Sequence, residues 1–596
     1  MLARALATLL AVALATPVAV TATDGPVALD ALIDEIGRSM LARYPEEATD
    51  LGLSLELGLD DTRLNDLSPE FLVETAALAQ AGLDRLDVVD PSALAPDERI
   101  SHAVTRWYLD DIATMADWAD HEYVLNFITG PHANFPEFMA DVHPLGSIAD
   151  AEAYSTRLEA AAEQLGQVAE AFERSEEAGV LATRRGLEIA QWQLGQAVVP
   201  AERHQLVTDF ADRLADMVLP EDQRDRLVRT AEDTVRSSVL PAYEELIRVA
   251  DGAATRSDTE PGVLHHPAGG DYYAAALRHH LTSSLTPDEV HELGLAQVER
   301  VQHQLSEALG EAGFDVAQLG FTGAIGAASA AMPAVPLRSD EDRSGVLQGT
   351  EEFIAGTADA FGEMFTALPS APIEVQRPRP GREGAAGAYY RPPPMSGERP
   401  GIYYLGLGGK VFPMDTYATT NYHEAVPGHH FQIALQRESE ELPLLQRATT
   451  LTGYAEGWAL YAERLAYEAG LYEDDPLGNI GRLRMELLRA ARAVADTGIH
   501  ALGWSRAEAI DYLIEQGFPE GWAASEVDRY IVWPGQAPAY LVGMLEIQRL
   551  REEAQAALGD AYDIAAFHDA VLRHGSVPLE VLPLAVDAYV EAASAG

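Results

Sequence analysis

The sequence predicts a mostly α-helical protein, and three features carry that expectation. Apolar residues recur at helical spacing from the first segments onward, as in Asp30-Ala31-Leu32-Ile33-Asp34-Glu35-Ile36, where the apolar positions share one face of a 3.6-residue turn. Helix-start signals recur too. Ser68-Pro69-Glu70 sets a cap, a first-turn proline and a first-turn acid ahead of Phe71 to Leu83, and Thr286-Pro287-Asp288-Glu289 reads as a capping box. Strand-like alternation is missing from residues 27–250, and Gly401-Ile402-Tyr403-Tyr404-Leu405 is the best strand candidate in the chain.

Taken in order, residues 1–22 read as a secretory signal peptide. Arg4 supplies a positive start, Ala5 to Val20 is apolar, and Val20-Thr21-Ala22 offers small residues for cleavage. Pro17 and the brevity of the apolar run disfavour a membrane span. The expectation is therefore an exported protein, periplasmic or extracellular, without a stable membrane anchor once the signal is removed. Residues 23–255 form an N-terminal helical region, with helices expected at Asp150–Ala178, Ala182–Gln196 and Glu221–Ala250. The polar, turn-rich run Ala253 to Gly262 joins it to a second region, residues 256–596. There Asp271-Tyr272-Tyr273 opens a helix, the glycine-rich Phe321–Pro336 reads as a loop, and Gly349–Ala367 as a helix. Prolines crowd Arg377-Pro378-Arg379-Pro380 and Pro392-Pro393-Pro394. Leu483–Trp504 reads as a long helix, and Ser505-Arg506-Ala507-Glu508 caps another that ends at Gly517.

Composition narrows the function classes. The 596 residues include 94 acidic and 41 basic side chains, a formal net charge of −53, with Lys410 the single lysine. Such a surface repels phosphates and anionic lipids, which argues against nucleic acid or a membrane surface as partner. It suits a protein kept soluble at high salt, where screening weakens self-repulsion. The sequence holds no cysteine, so disulfides, lipidated cysteines and thiolate ligands are excluded, and any zinc must be held by histidine and carboxylate.

One stretch points to chemistry. His423-Glu424-Ala425-Val426-Pro427-Gly428-His429-His430 places three of the 17 histidines beside a glutamate, and Glu456-Gly457-Trp458-Ala459-Leu460-Tyr461-Ala462-Glu463 follows. Zinc hydrolases hold their ion with imidazoles and a carboxylate, leaving one position for water that a neighbouring glutamate deprotonates. The usual H-E-x-x-H helix is not matched, because Pro427 stands four residues after His423. On a regular helix His429 and His430 would lie about 9 and 10.5 Å further along the axis, too far to share an ion with bonds of about 2 Å. Either the helix is broken or bulged at Val426-Pro427, or His423 and His429 do not share a metal. With those two residues treated as an insertion, H-E-A-G-H-H-F-Q remains. Gly428 then favours His429 as the second ligand, with His430 as its rival or as a hydrogen-bond donor from behind. Tyr454, Trp458 and Leu460 disfavour full exposure of Glu456, and Glu463 sits two turns further on, placed to orient a ligand. Asp496 and His500 are four apart and share a helix face, with Arg489 and Arg492 turned toward it; an Asp-held histidine that positions a substrate and an internal salt-bridge set both fit.

The runs N-Y-H-E-A-V-P-G-H-H-F-Q, E-G-W-A-L-Y-A-E, D-T-G-I-H-A-L-G-W and R-Y-I-V-W-P-G-Q-A-P-A-Y resemble the bacterial family catalogued as domain of unknown function 885, over roughly residues 260 to 590. That family is similar in pattern to the helical gluzincin peptidases, in which two histidines and a downstream glutamate bind zinc. The resemblance implies a large zincin-like helical fold with a deep cleft and a short strand or hairpin beside the metal helix. It further implies His423, His429 and Glu456 as zinc ligands, and strand 401–405 as a partner for extended peptide, where the residues themselves fit a plain surface hairpin equally well. Similar Pro-and-Tyr segments in helical zincin carboxypeptidases bring a tyrosine over the metal, a role that falls here to Tyr540.

The expectation is a zinc-dependent metallohydrolase, most simply a peptidase. His423, His429 and Glu456 would hold Zn2+, Glu424 would activate water, and Tyr540 with His500 would stabilise the oxyanion. The rivals are a non-catalytic helical protein that captures peptides after losing its metal geometry, and a zinc hydrolase for a non-peptide amide. The partner in each case is a peptide or small amide.

Overall fold

A computed structural model describes residues 26–257, 261–379 and 387–595. The signal-peptide segment lies outside the described residues, as do residues 258–260 of the polar joint. The described chain is mostly helical. Capping follows the sequence signals: Ser68 accepts from the Phe71 amide, and Thr286 with Glu289 and Ser505 with Glu508 form reciprocal capping boxes.

The elements that position the site are helices α1 (Ile148–Glu177), α2 (Gly269–Leu281), α3 (Pro287–Glu311), α4 (Tyr417–Glu424), α5 (His429–Glu438), α6 (Thr452–Glu468), α7 (Pro476–His500), α8 (Glu520–Val532) and α9 (Ala539–Leu558). Among the described residues five short strands are interspersed: β1 (Ala334–Pro336), β2 (Ile373–Gln376), β3 (Ala388–Arg391), β4 (Gly401–Leu405) and β5 (Val411–Pro413). One hydrophobic core runs from the N-terminal helices into the second region without a break at 255/256, joining Leu158 and Phe172 of α1 to Trp458 of α6, Val494 of α7 and Leu541 of α9. The N-terminal region therefore packs against the second one and supports it. A smaller cluster unites Pro26–Leu41, Pro69–Leu86 and Pro96–Ala116.

Several expectations are corrected. The Phe321–Pro336 loop is instead a helix over Phe321–Ala331 followed by β1. Its alanines are strong helix formers, and Ala324, Ile325 and Ala328 bury one face; with so few large side chains the stripe carried little contrast to read. The expected Gly349–Ala367 helix starts earlier and stops sooner, at Asp340–Thr357. The Glu221–Ala250 helix is interrupted by a π-turn at Val235–Val239, just before Pro241. The helix expected from Leu483 begins at Pro476 and ends at His500.

Strand 401–405 is present, but as the middle strand of a three-stranded sheet. It pairs in parallel with β2 and antiparallel with β3, and all five residues are buried. With both edges taken, β4 has no free backbone donors for a peptide, so the strand-addition role is withdrawn from it. Its work is support: the Tyr403 hydroxyl donates to Asn421 of α4 at 3.0 Å, fixing the helix that carries His423.

Candidate metal centre

Helix α4 ends at Glu424 and α5 begins at His429, so the His-Glu cluster straddles a break. Between them the Val426–Pro427 peptide is cis, and the Phe431 amide reaches back to the Ala425 carbonyl at 3.2 Å. Gly428 is required by close approach. A Cβ there would lie 1.9 Å from the His423 carbonyl oxygen and 2.4 Å from that of Tyr422. The loop is pinned from α6, where the Trp458 indole donates to the Pro427 carbonyl at 2.8 Å. Two extra residues thus fold into a kink that returns α5 to the end of α4.

The consequence is convergence. One ligand atom each of His423, His429 and Glu456 lies within 4.8 Å of the others. The Glu456 Oε2 atom is 3.4 Å from Nε2 of His423 and 3.2 Å from Nε2 of His429. It is buried and accepts no hydrogen bond among the described residues. A buried carboxylate oxygen facing two imidazole nitrogens without a hydrogen bond is a poor arrangement for the chain alone and a suitable one for a cation. The donor set fits zinc.

Behind the ligands, Nδ1 of His423 is 2.9 Å from Oε1 of Glu463, whose other oxygen accepts from the Thr419 hydroxyl. A carboxylate on the far nitrogen fixes the ring so that Nε2 faces the cluster, the orienting role expected of Glu463. His430 faces elsewhere: its Nδ1 is 2.9 Å from the Tyr390 hydroxyl, and burial pushes its pKa down to about 4. Of the two rival histidines, it is His429 that the fold brings to His423 and Glu456.

Glu456 reaches the cluster because α6 and α9 cross at glycines. A Cβ on Gly457 would stand 2.4 Å from Cα of Gly543, and one on Gly543 would stand 1.9 Å from the Gly453 carbonyl oxygen. That crossing also brings Tyr540 to the site. Its ring stacks on His423 with centroids 6.1 Å apart, and its hydroxyl accepts from Nη2 of Arg529 at 3.2 Å. The guanidinium groups of Arg489 and Arg492 lie over the same ring, at 4.8 and 5.1 Å from its centroid.

Charge is strongly coupled here. Burial works to lower the pKa of His423, but the carboxylates of Glu456 and Glu463 facing its two nitrogens prevail and push it up to about 10. Burial likewise opposes ionisation of Glu456, yet the two imidazoles hold it well below the usual carboxylate range. A metal ion would take the place of the shared protons. Burial raises the Glu424 carboxyl, against the pull of His423 and His429, which makes it a stronger base than a solvated glutamate.

His500 is corrected. Its Nε2 is 3.0 Å from the Tyr530 carbonyl, and its Nδ1 accepts from the Val263 amide at 3.3 Å. Both nitrogens are committed to backbone, so none remains for an oxyanion. Asp496 does not hold it either; that carboxylate accepts from the Tyr273 hydroxyl at 2.5 Å and the Gly535 amide at 3.1 Å. These two residues knit α7 to its neighbours. Two contributors went unrecognised in the sequence: Trp458, which pins the kink, and Arg529, which holds the Tyr540 hydroxyl. Both stand inside the quoted motifs, yet nothing in their spacing shows what they bind.

Comparison with known proteins agrees with this architecture. The crystal structure of a candidate lipoprotein from Colwellia psychrerythraea is similar with a TM-score of 0.88 and 30% identity, covering 95% of this chain and 99% of that one. A candidate lipoprotein of unknown function from Shewanella oneidensis is similar in fold, with a TM-score of 0.68, 18% identity, and coverage of 93% and 98%. No curated protein matches the chain. Among the described residues no helix is long and apolar enough to cross a membrane. Residues 45–586 match the family described as bacterial protein of unknown function, DUF885, and the chain belongs to that family.

Proposed function

We propose that this protein is an exported zinc-dependent hydrolase that cleaves peptide bonds. The observation that carries the reading is the convergence of His423, His429 and Glu456 on one point, with the buried base Glu424 next in sequence to the first ligand. The arrangement is similar to that of the zincins, with a two-residue insertion absorbed by the kink. Export rests on the signal-like residues 1–22 and on the names of the Colwellia and Shewanella relatives.

His423, His429 and Glu456 would hold the ion, which when bound would supply Lewis acidity to water and to the scissile carbonyl. The rest is done by the chain. Glu424 takes one proton from the attacking water and passes it to the departing amine, so that hydroxyl joins the acyl carbon as the C–N bond breaks. Tyr540, with its oxygen already accepting from Arg529, has its own proton to donate to the carbonyl oxygen as negative charge builds there. Glu463 keeps the His423 ring in place throughout.

Elemental analysis of the full chain, purified without chelator and offered zinc, tests the reading. About one zinc per chain is expected, falling to a small fraction in Glu456→Gln. A chain that takes up no metal sinks the proposal and leaves the peptide-capturing scaffold.

A further inference from the structure

Beside the candidate metal centre stands a group of arginines with too few bonded acceptors. Arg489, Arg492 and Arg529 surround Tyr540, in a chain whose net charge is −53. Arg492 is paired with Glu526, Nη2 at 2.7 Å, but its Nη1 is buried without an acceptor. Arg529 spends Nη2 on Gln536 and Tyr540. Arg489 makes no hydrogen bond and no ion pair among the described residues; it is 6% exposed, and its Nε and Nη1 are buried without acceptors. Stacking on Tyr540 contents the face of a guanidinium but leaves the N–H groups at its edges unsatisfied. Three carboxylates act on Arg489 without forming an ion pair with it: Glu463 and Glu456, which already serve His423, and Glu424. Burial and the neighbouring Arg492 both press against the charge on Arg489.

An unpaired buried guanidinium costs several kcal/mol unless something completes it, and what completes it best is a planar carboxylate taking two parallel N–H groups. The position narrows the source of that carboxylate. Tyr540 neighbours both Arg489 and His423, at 4.8 Å from the guanidinium and 6.1 Å from the imidazole. The gap is at most roughly three extended residues, at about 3.5 Å each. We propose that Arg489, with the free edge of Arg492, receives the C-terminal carboxylate of a peptide, so that hydrolysis releases a short C-terminal fragment, of about three residues or fewer where it runs extended. This rests on the hydrolase reading for the cleavage, but not for the carboxylate site itself.

Binding therefore tests it apart from turnover. Full-length chain carrying Glu424→Gln is titrated with a set of N-acetyl dipeptides bearing small, aromatic, acidic and basic side chains, each as free acid and as C-terminal amide. The free acids should bind at least about tenfold more tightly than the amides, the effect of a charge-assisted hydrogen-bond pair. Adding Arg489→Gln should erase that preference, and Arg489→Lys should keep part of it, with melting curves confirming that both fold. Equal binding of acids and amides, no binding by either set, or an acid preference that survives Arg489→Gln each overturns the proposal. Zinc content of the same samples reports on the other reading separately. Acid preference without zinc removes the hydrolase and keeps the carboxylate site; zinc without acid preference does the reverse.

Discussion

Two buried arginines, one in each half of the molecule, show how differently the fold treats the same charge. Arg157 of α1 is 0% exposed and fully engaged. Its Nε donates to the Arg63 carbonyl at 3.0 Å, Nη1 to Nδ1 of His143 at 2.9 Å, and Nη2 to the Thr49 hydroxyl at 2.5 Å and to Asp61 at 3.3 Å. Arg489 of α7 is nearly as buried and, among the described residues, donates to nothing. Both bear the desolvation cost, and burial lowers the pKa of both. Only the first recovers the cost within the chain. A satisfied buried network staples a fold, whereas a buried guanidinium left without acceptors beside two histidines and two glutamates is the place to test for a bound anion.

The largest expected effect lies at the unsatisfied end of that comparison. Glu424→Gln keeps the shape and hydrogen bonding of the base and removes its basicity. Turnover of whichever peptide is cleaved should fall by a factor of about 10² to 10⁴, the range for a general base, while zinc stays bound. Single-turnover assays beside elemental analysis check both halves of the statement. Full activity in Glu424→Gln would end the general-base assignment.

Stability should separate the two arginines next. Arg157→Met strands Asp61, Thr49, the Arg63 carbonyl and His143 around an apolar side chain, and should cost about 3–5 kcal/mol, the usual result of breaking one partner out of a buried pair. Arg489→Met strands no acceptor, because none is present among the described residues. It should leave stability within about 1 kcal/mol of the parent, or raise it. Melting temperatures of the two variants, measured side by side without peptide, decide this. A deep loss in Arg489→Met would show that its charge is a structural staple after all.

Much of the site was legible in the sequence. The zincin pattern with Val426-Pro427 set aside placed His423, Glu424 and His429, with Gly428 favouring His429 over His430; that Gly428 also makes a close backbone approach in the kink was not read. Local spacing carried this, because all of these residues lie within one turn of the break. What stayed hidden depends on partners far along the chain. Spacing put His500 on the same helix face as Asp496 and Arg492, but its nitrogens are claimed by Val263 and Tyr530, from other elements. Strand 401–405 could be read, but not that β2 and β3 close both of its edges. The same holds for Arg489: its face was readable, and its want of an acceptor was not, since absence of a partner belongs to the whole packing. The Phe321–Ala331 helix failed for a different reason, as small residues leave no periodic contrast.

The satisfied network has its own weak point, and pH finds it. His143 accepts from Arg157 at Nδ1 and has Nε2 2.9 Å from the Asp150 carbonyl, so its neutral form with the proton on Nε2 fits both partners. Burial, and then the charge of Arg157, push its pKa down to about 4 from an ordinary 6.5. The folded state thus binds fewer protons than the unfolded one between those values, and stability must fall as pH falls through that window. His143 adds its full share above pH 6.5 and should have lost about 2 kcal/mol of it by pH 5. His204, buried in the same half and also held near 4, pulls in the same direction, so the remedy is partial. Gln at position 143 offers an acceptor to Arg157 and a donor to Asp150 without titrating. The melting temperature of His143→Gln should therefore drop less steeply than the parent's between pH 7 and pH 5. Parallel curves would mean that the Arg157 network tolerates a protonated imidazole, and that its completeness matters less than the contrast with Arg489 implies.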